Sequence, residues 1–256
     1  MLFSYLSYLL TAQDEHAIHS PFVFELYTEV IRTDDVFYAF EEIEALRDRL
    51  LANNQTITIT DLGAGSRINY SNERKISEIA QYSLKNPKCG ELLFKLVNFL
   101  KPKVVLDLGT SLGITTLYQA KACLEAKFLT FEGCPQIAKL AQTHFDEFNC
   151  NNIEIIVGNL DKTLPETIQS LPQIDYVFFD ANHRYEPTIR YFETCLEKAH
   201  EDSLFIFDDI HWSAEMQQAW RQIKNHPKVM LTIDLFEVGL VFFRSKQVKQ
   251  HFVLKF

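Results

Sequence analysis

The amino-acid sequence predicts an α/β fold: a doubly wound, mostly parallel sheet of seven strands with one antiparallel member, preceded by a mainly helical extension. Three observations carry this. From Lys103 onward, short apolar runs alternate with amphipathic stretches of helical period, the pattern of βαβ units whose sheet is covered on both faces. Residues 104–120, VVLDLGTSLGITTLYQA, run from strand through a tight glycine turn into a helix without interruption. Residues 229–244 hold two apolar runs with a turn near residues 237–239, a closing hairpin that leaves one strand antiparallel to the rest.

Length and composition bound the partners. With 256 residues, 47% of them hydrophobic and 23% charged, the chain is long enough for one large α/β domain with an appendage. We expect residues 1–86 to form the helical extension and residues 87–256 the α/β domain. A net charge of −9 gives no general attraction to phosphate backbones or anionic membranes, so nucleic acid is not an expected partner. The opening MLFSYLSYLL is too short to span a bilayer and has no basic residue ahead of it, which fits neither a span nor a signal peptide. Leu2, Tyr5, Leu6, Leu9 and Leu10 fall near one helical face, the pattern of a docking or dimerising helix. The five cysteines are scattered, odd in number and without a C-x-x-C pair, as expected of reduced thiols in a cytoplasmic protein.

Along the extension, Ser20-Pro21 signals a helix over residues 19–32, and further helices are expected near 41–52, 75–84 and 91–100. Phe22, Phe24, Phe37, Tyr38 and Phe40 are more aromatic surface than a free appendage leaves in water, so the extension should cover a ligand pocket or form a subunit contact. Residues 56–66, TITITDLGAGS, imitate a nucleotide turn with Asp61, Gly63 and Gly65, but the polar RINYSNERK that follows has no helical apolar stripe. A glycine-bent loop or edge strand is expected there, with a flap over the ligand as the alternative. The neighbouring Arg67, Arg74 and Lys75 read as a solvated cluster.

The turn at Gly109 to Gly113 leaves backbone N–H groups at a helix N-terminus unpaired, which suits an anionic or zwitterionic ligand. Ser111 stands where a dinucleotide fingerprint has its central glycine, and Asp107 is ill placed beside a pyrophosphate but well placed beside a cationic amino acid group or a sulfonium. The second strand, residues 126–133, ends at Glu132, nineteen residues after Gly113, the spacing at which an acid meets a ribose hydroxyl pair. Pro135 opens the next helix. The third strand, residues 153–160, runs through Gly158 and Asn159 into a polar segment. The fourth delivers Asp180, with His183 and Tyr185 on its loop, and the fifth delivers Asp208 and Asp209, with His211 and Trp212 next. Three carboxylates at adjacent strand ends repel one another unless a cation, a proton or an amine offsets them.

DLGTSLG, residues 107–113, resembles the first motif of the class I S-adenosylmethionine-dependent methyltransferases, and the resemblance extends over residues 87–244. It implies a Rossmann-like domain that binds S-adenosylmethionine and methylates a hydroxyl or amine of a small-molecule acceptor. By this resemblance the Gly109, Ser111 and Gly113 backbone lies under the methionine portion, Asp107 lies near its amino acid end and Thr115 reaches its carboxylate. Glu132 takes the ribose, Gly158 with Asn159 or Asp161 faces the adenine, and Asp180 borders the cofactor. The strand-end acids resemble those of the catechol and caffeoyl-coenzyme A O-methyltransferases, which implies that Asp180, Asp208 and Asp209 bind a divalent cation such as Mg²⁺. Those families carry lysine where this chain has His183, and D-x-x-H-x-Y-E also resembles methyltransferases acting on sugars and other hydroxylated metabolites. His183 is therefore the expected general base, beside a metal or, without one, oriented by Asp180 or Asp209, because imidazole is the side chain that exchanges protons closest to neutral pH. Two competing readings are a catalytically silent nucleotide-fold binding protein and an NAD(P)-dependent oxidoreductase, the latter weakened by Ser111.

Overall fold

The computed structural model describes residues 2–60 and 72–256; Asp61, Gly63, Gly65, Ser66 and Arg67 of the glycine-rich decoy lie outside them. In chain order the first half contains α1 (Leu2–Thr11), α2 (Pro21–Leu26) with a π-helical continuation over Tyr27–Ile31, α3 (Tyr38–Ala52), β1 (Thr56–Thr58), β2 (Glu73–Lys75), α4 (Ile76–Ser83) and α5 (Pro87–Leu100). There follow β3 (Val104–Leu108), α6 (Ile114–Ala122), β4 (Lys127–Glu132), α7 (Pro135–Glu147), β5 (Ile153–Val157) and α8 (Leu160–Ser170). The last part is β6 (Ile174–Phe179), α9 (Tyr185–Leu196), β7 (Ala199–Asp208), α10 (Ala214–Asn225), β8 (Leu231–Asp234), β9 (Val238–Phe242) and β10 (Gln250–Val253). This is an α/β Rossmann-like fold with a mixed, mostly parallel sheet and N-terminal helices. The sheet has eight strands where seven were expected, because residues 250–253 pair as a full strand, parallel to β8.

The local signals act as their chemistry dictates. Pro87 opens α5, whose N-cap Asn86 accepts the Cys89 amide at 2.9 Å through Oδ1, and Ser213 Oγ caps α10 by accepting the Met216 amide at 3.1 Å. The third strand is shorter than expected, ending at Val157, since Asn159 Oδ1 accepts the Asp161 amide at 2.9 Å and starts a helix over the polar segment. Pro165 inside that helix removes one backbone bond without ending it.

The chain divides into two compact units, Asp34–Thr163 and Met1–Thr33 with Leu164–Phe256. In the Asp34–Thr163 unit β3, β4 and β5 run parallel in that order, with Asp107 opposite Thr130 and Glu132 opposite Val157. Phe37, Phe40, Phe94 and Tyr118 cluster with ring centroids 4.6–5.6 Å apart, and the Tyr118 hydroxyl donates to Glu44 Oε1 at 2.8 Å. Two of the aromatic residues expected at a pocket or interface, Phe37 and Phe40, thus pack inside this unit. β1 and β2 form a separate two-stranded antiparallel sheet, with Thr56 opposite Lys75.

The other unit holds strands in the order β10-β8-β9-β7-β6, and β9 is antiparallel to both β7 and β8, the single reversed strand that the hairpin predicts. Trp220 packs so tightly over Gly239 that an added Cβ there would stand 2.6 Å from the indole. α1 is joined to the C-terminal strand: the Tyr8 hydroxyl donates to Leu254 O at 2.6 Å and accepts the Phe256 amide at 3.1 Å. Burial pushes the pKa of that phenol up to about 12. The Gln13 amide donates to Val253 O at 2.8 Å, and the Lys255 amide returns a bond to Gln13 O at 2.9 Å. Leu6, Leu9 and Leu10 remain exposed on the outer face of α1.

Candidate active site

The glycine turn is built around three residues in the left-handed region: Gly109 at φ 121°, Ser111 at φ 47° and Gly113 at φ 84°. Gly113 is required twice over, since a Cβ would be strained at that φ and would also meet Phe145 Cε1 at 2.6 Å. The turn is tied to its neighbours from several sides. The Ser111 amide donates to Glu132 Oε2 at 2.9 Å, the Cys134 amide donates to Glu132 Oε1 at 2.8 Å, and the Thr110 amide reaches Phe131 O at 3.0 Å. The Ser111 and Ser83 hydroxyls are 2.8 Å apart. From beneath, His144 Nδ1 donates to Leu112 O at 2.9 Å, and burial lowers the pKa of this imidazole.

Asp107 has no exposed surface. Its Oδ2 accepts from the Thr116 hydroxyl at 2.5 Å and from the Thr130 hydroxyl at 3.0 Å, and Thr110 Oγ1 lies 2.6 Å from Thr130 Oγ1. The acid thus braces the strand, the turn and the helix from inside. Thr115 is buried at the start of α6, Gly158 has φ 144°, and its amide donates to Glu132 O at 2.9 Å. Asn159 caps α8, as described above. The structure therefore brings Gly109, Ser111, Gly113, Glu132 and Gly158 into one hydrogen-bonded turn system.

The other unit holds the strand-end acids. His183 Nε2 lies 3.4 Å from Asp180 Oδ1 and 4.0 Å from Asp209 Oδ2. One donor atom from each of Asp180, His183 and Asp208 falls within a mutual 4.8 Å. This group differs from the expected metal set: His183 takes the place of Asp209. Asn182 at φ 51° and Asp209 at φ 53° put one left-handed residue in each of the two loops, and Asn and Asp are the side chains that best tolerate it. Tyr185 is turned away from this group, its amide donating to Glu215 Oε2 at 3.0 Å and its hydroxyl to Gln222. Trp212 is half exposed beside the cluster's loop.

Residues 106–210 match the family model described as "Methyltransferase domain". Over these residues the chain is similar to a methyltransferase domain. A catechol O-methyltransferase of Niastella koreensis is 27% identical over 128 residues, a match that covers 49% of this chain and 57% of that enzyme's length. An S-adenosylhomocysteine-bound methyltransferase of Podospora anserina superposes with a TM-score of 0.61 at 13% identity, covering 88% of this chain and 97% of that one. The O-methyltransferase of Streptomyces achromogenes involved in tomaymycin synthesis, solved with S-adenosylmethionine, gives 0.57 at 17% identity, covering 86% and 96%.

Around the glycine turn, sequence reading missed the residues that hold the site in place. Thr130 and Thr116 clamp Asp107, His144 props the turn and Ser83 meets Ser111. Only Thr130 had a usable signal, a hydroxyl in an otherwise apolar strand run. Sequence reading named His211 but not its partner: His211 Nε2 lies 2.8 Å from Asp234 Oδ2.

Proposed function

We propose that this protein transfers the methyl group of S-adenosylmethionine to a hydroxyl of a small-molecule acceptor. The observation that carries the reading is the Glu132 carboxylate, oriented through both oxygens by the Ser111 and Cys134 amides at the end of β4. Each oxygen keeps acceptor capacity for a ribose hydroxyl. In this reading the Gly109, Ser111 and Gly113 backbone carries the methionine portion, and Thr115 meets its carboxylate. Asp107 acts from behind the turn. Asn159, whose Oδ1 accepts the Asp161 amide and keeps a second lone pair, or the Asp161 carboxylate would accept from the adenine amine beyond Gly158.

The chemistry is an in-line displacement: the sulfonium C–S bond breaks as the C–O bond forms, leaving S-adenosylhomocysteine and a methyl ether. His183, backed by Asp180 and Asp209, takes the hydroxyl proton and passes it to solvent. Two carboxylates and an imidazole are also a donor set that fits a divalent cation such as Mg²⁺ or Mn²⁺, which Asp180, His183 and Asp208 would hold. Bound there, it would lower the pKa of the acceptor hydroxyl. His183 would then serve as a ligand, which makes the two versions separable by experiment.

The five cysteines are all free and four are buried, which supports a reducing, cytoplasmic location. Among the described residues no helix is long and apolar enough to cross a membrane. The net charge of −9 supports a small molecule over nucleic acid as partner. We assign residues 1–86 to shaping the methyl-acceptor pocket or a homodimer contact. The deciding experiment is calorimetric titration with S-adenosylhomocysteine and with NAD, followed by a methylation assay on catechol. Binding of NAD alone would refute the reading.

A further inference from the structure

The loop ends of β7 and β8 hold an imidazole–carboxylate pair that the proposed chemistry does not use. His211 Nε2 donates to Asp234 Oδ2 at 2.8 Å, and the ring lies nearly parallel to Phe236, with centroids 5.2 Å apart and planes 14° from each other. Asp234 is buried; it accepts the Trp220 indole N–H on the same oxygen at 3.3 Å and the Phe236 amide on the other at 2.9 Å. An acceptor-only carboxylate surrounded by three donors fixes both the tautomer and the orientation of the ring.

The pair sits where the chain needs a fastener. Asp209, two residues before His211, has φ 53°, and Phe236, two residues after Asp234, has φ 70°. Side-chain-bearing residues keep such conformations only where their surroundings over-determine them. The turn after β7 closes on the Trp212 amide bond to Asp209 O at 2.9 Å, and the turn after β8 on the Leu235 amide to Val238 O and the Glu237 amide to Leu235 O, both at 3.0 Å. Asp208 lies opposite Val238 and Asp234 opposite Gly239, so both turns leave the sheet from adjacent positions on β9. The His211–Asp234 bond spans them. Tyr5 and Tyr8 of α1 pack on Phe236, at centroid distances of 4.9 Å and 5.3 Å, and back the clamp.

We propose that His211 is a positioning residue for the methyl transfer: through Asp234 it holds the β7 turn so that Asp209 stays in its left-handed conformation, directed at His183. This rests on the reading of His183, Asp180 and Asp209 as the group that activates the methyl acceptor. The clamp itself is a structural claim with its own readout.

The test uses the full chain with His211→Leu, His211→Gln and Asp234→Asn. Backbone NMR shifts of Asp209 report its conformation, calorimetry reports S-adenosylhomocysteine affinity, and initial rates are measured on catechol. In His211→Leu the Asp209 shifts should leave left-handed values, and kcat should fall about 10- to 100-fold with little change in KM or cofactor affinity. His211→Gln keeps an N–H donor for Asp234, and it should restore most of the lost turnover together with the Asp209 shifts. Unchanged Asp209 shifts in His211→Leu would overturn the proposal. So would His211→Gln turnover as low as that of His211→Leu, which would assign the imidazole a chemical role. If the wild-type protein does not methylate catechol, the choice of methyl acceptor fails, and the Asp209 shifts alone decide the clamp. Should His211→Leu not fold, Asp234→Asn, which keeps the shape and weakens the bond, replaces it in each arm.

Discussion

The Ser111 amide donates to Glu132 Oε2 at 2.9 Å, tying the glycine turn to the end of the adjacent strand. With Cys134 holding the other oxygen at 2.8 Å, the carboxylate is oriented before any ligand arrives, and less ordering is left to the binding step. Glu132→Ala would remove up to two charge-assisted bonds to a ribose, each worth about 1.5–3 kcal/mol. Calorimetry should therefore show S-adenosylhomocysteine affinity reduced by at least about tenfold. Glu132→Gln should lie between, and Ser83→Ala, which loses the bonds to Ile79 O and the Ser111 hydroxyl but leaves the Ser111 amide in place, should bind nearly as wild type. Wild-type affinity in Glu132→Ala would place the cofactor elsewhere.

Gly113→Ala should destabilise through two separate effects. A Cβ at φ 84° costs about 1–2 kcal/mol, and its 2.6 Å approach to Phe145 adds about 1–3 kcal/mol of overpacking. Urea denaturation should recover the second part, and only the second, when Phe145→Leu is added. Full recovery would mean that backbone strain contributes nothing.

His183→Ala should lower turnover about 10²- to 10⁴-fold, the range of general-base removal. Rates with and without EDTA then separate the two roles. Chelator-insensitive turnover identifies His183 as the base; loss with EDTA and return with Mn²⁺ identifies it as a ligand beside Asp180 and Asp208. Wild-type rates in the variant would exclude both.

His144 gives the fold a pH dependence whose sign follows from its burial. Its folded pKa lies below the unfolded value of about 6.5, so the unfolded chain binds the extra proton. The stabilisation is complete above pH about 6.5 and is lost as the pH falls toward the folded pKa. His144→Gln, whose amide can still donate to Leu112 O, should flatten that part of the stability curve. An identical slope in the variant would assign it to other groups, among them His226 and His251, whose pKa values burial also lowers.

What could be read in the sequence was what period and spacing encode. Residues 104–120 declared strand, turn and helix, and Glu132 stood at the expected distance from Gly113 because each βα unit has a nearly fixed length. What could not be read depends on register. Thr130 reaches Asp107 because those residues face each other across β3 and β4, and no local pattern states that pairing. Asp234 reaches His211 from a different strand end, 23 positions along the chain. Residues 160–170 stood in the sequence only as a polar segment; Asn159 caps them into a helix that continues through Pro165.

The bond between Tyr8 and Leu254 has a consequence for the order in which the chain becomes a protein. The two residues are separated by 246 positions, so α1 leaves the ribosome well before Leu254, and its phenol waits for that partner. At about 5–20 residues per second that interval is about 12–50 s. Until then Tyr5 and Tyr8 lack Phe236 as well. In this time α1 is an apolar segment on a growing chain, open to chaperones and to neighbouring nascent chains, and it docks only once residues 250–254 have emerged.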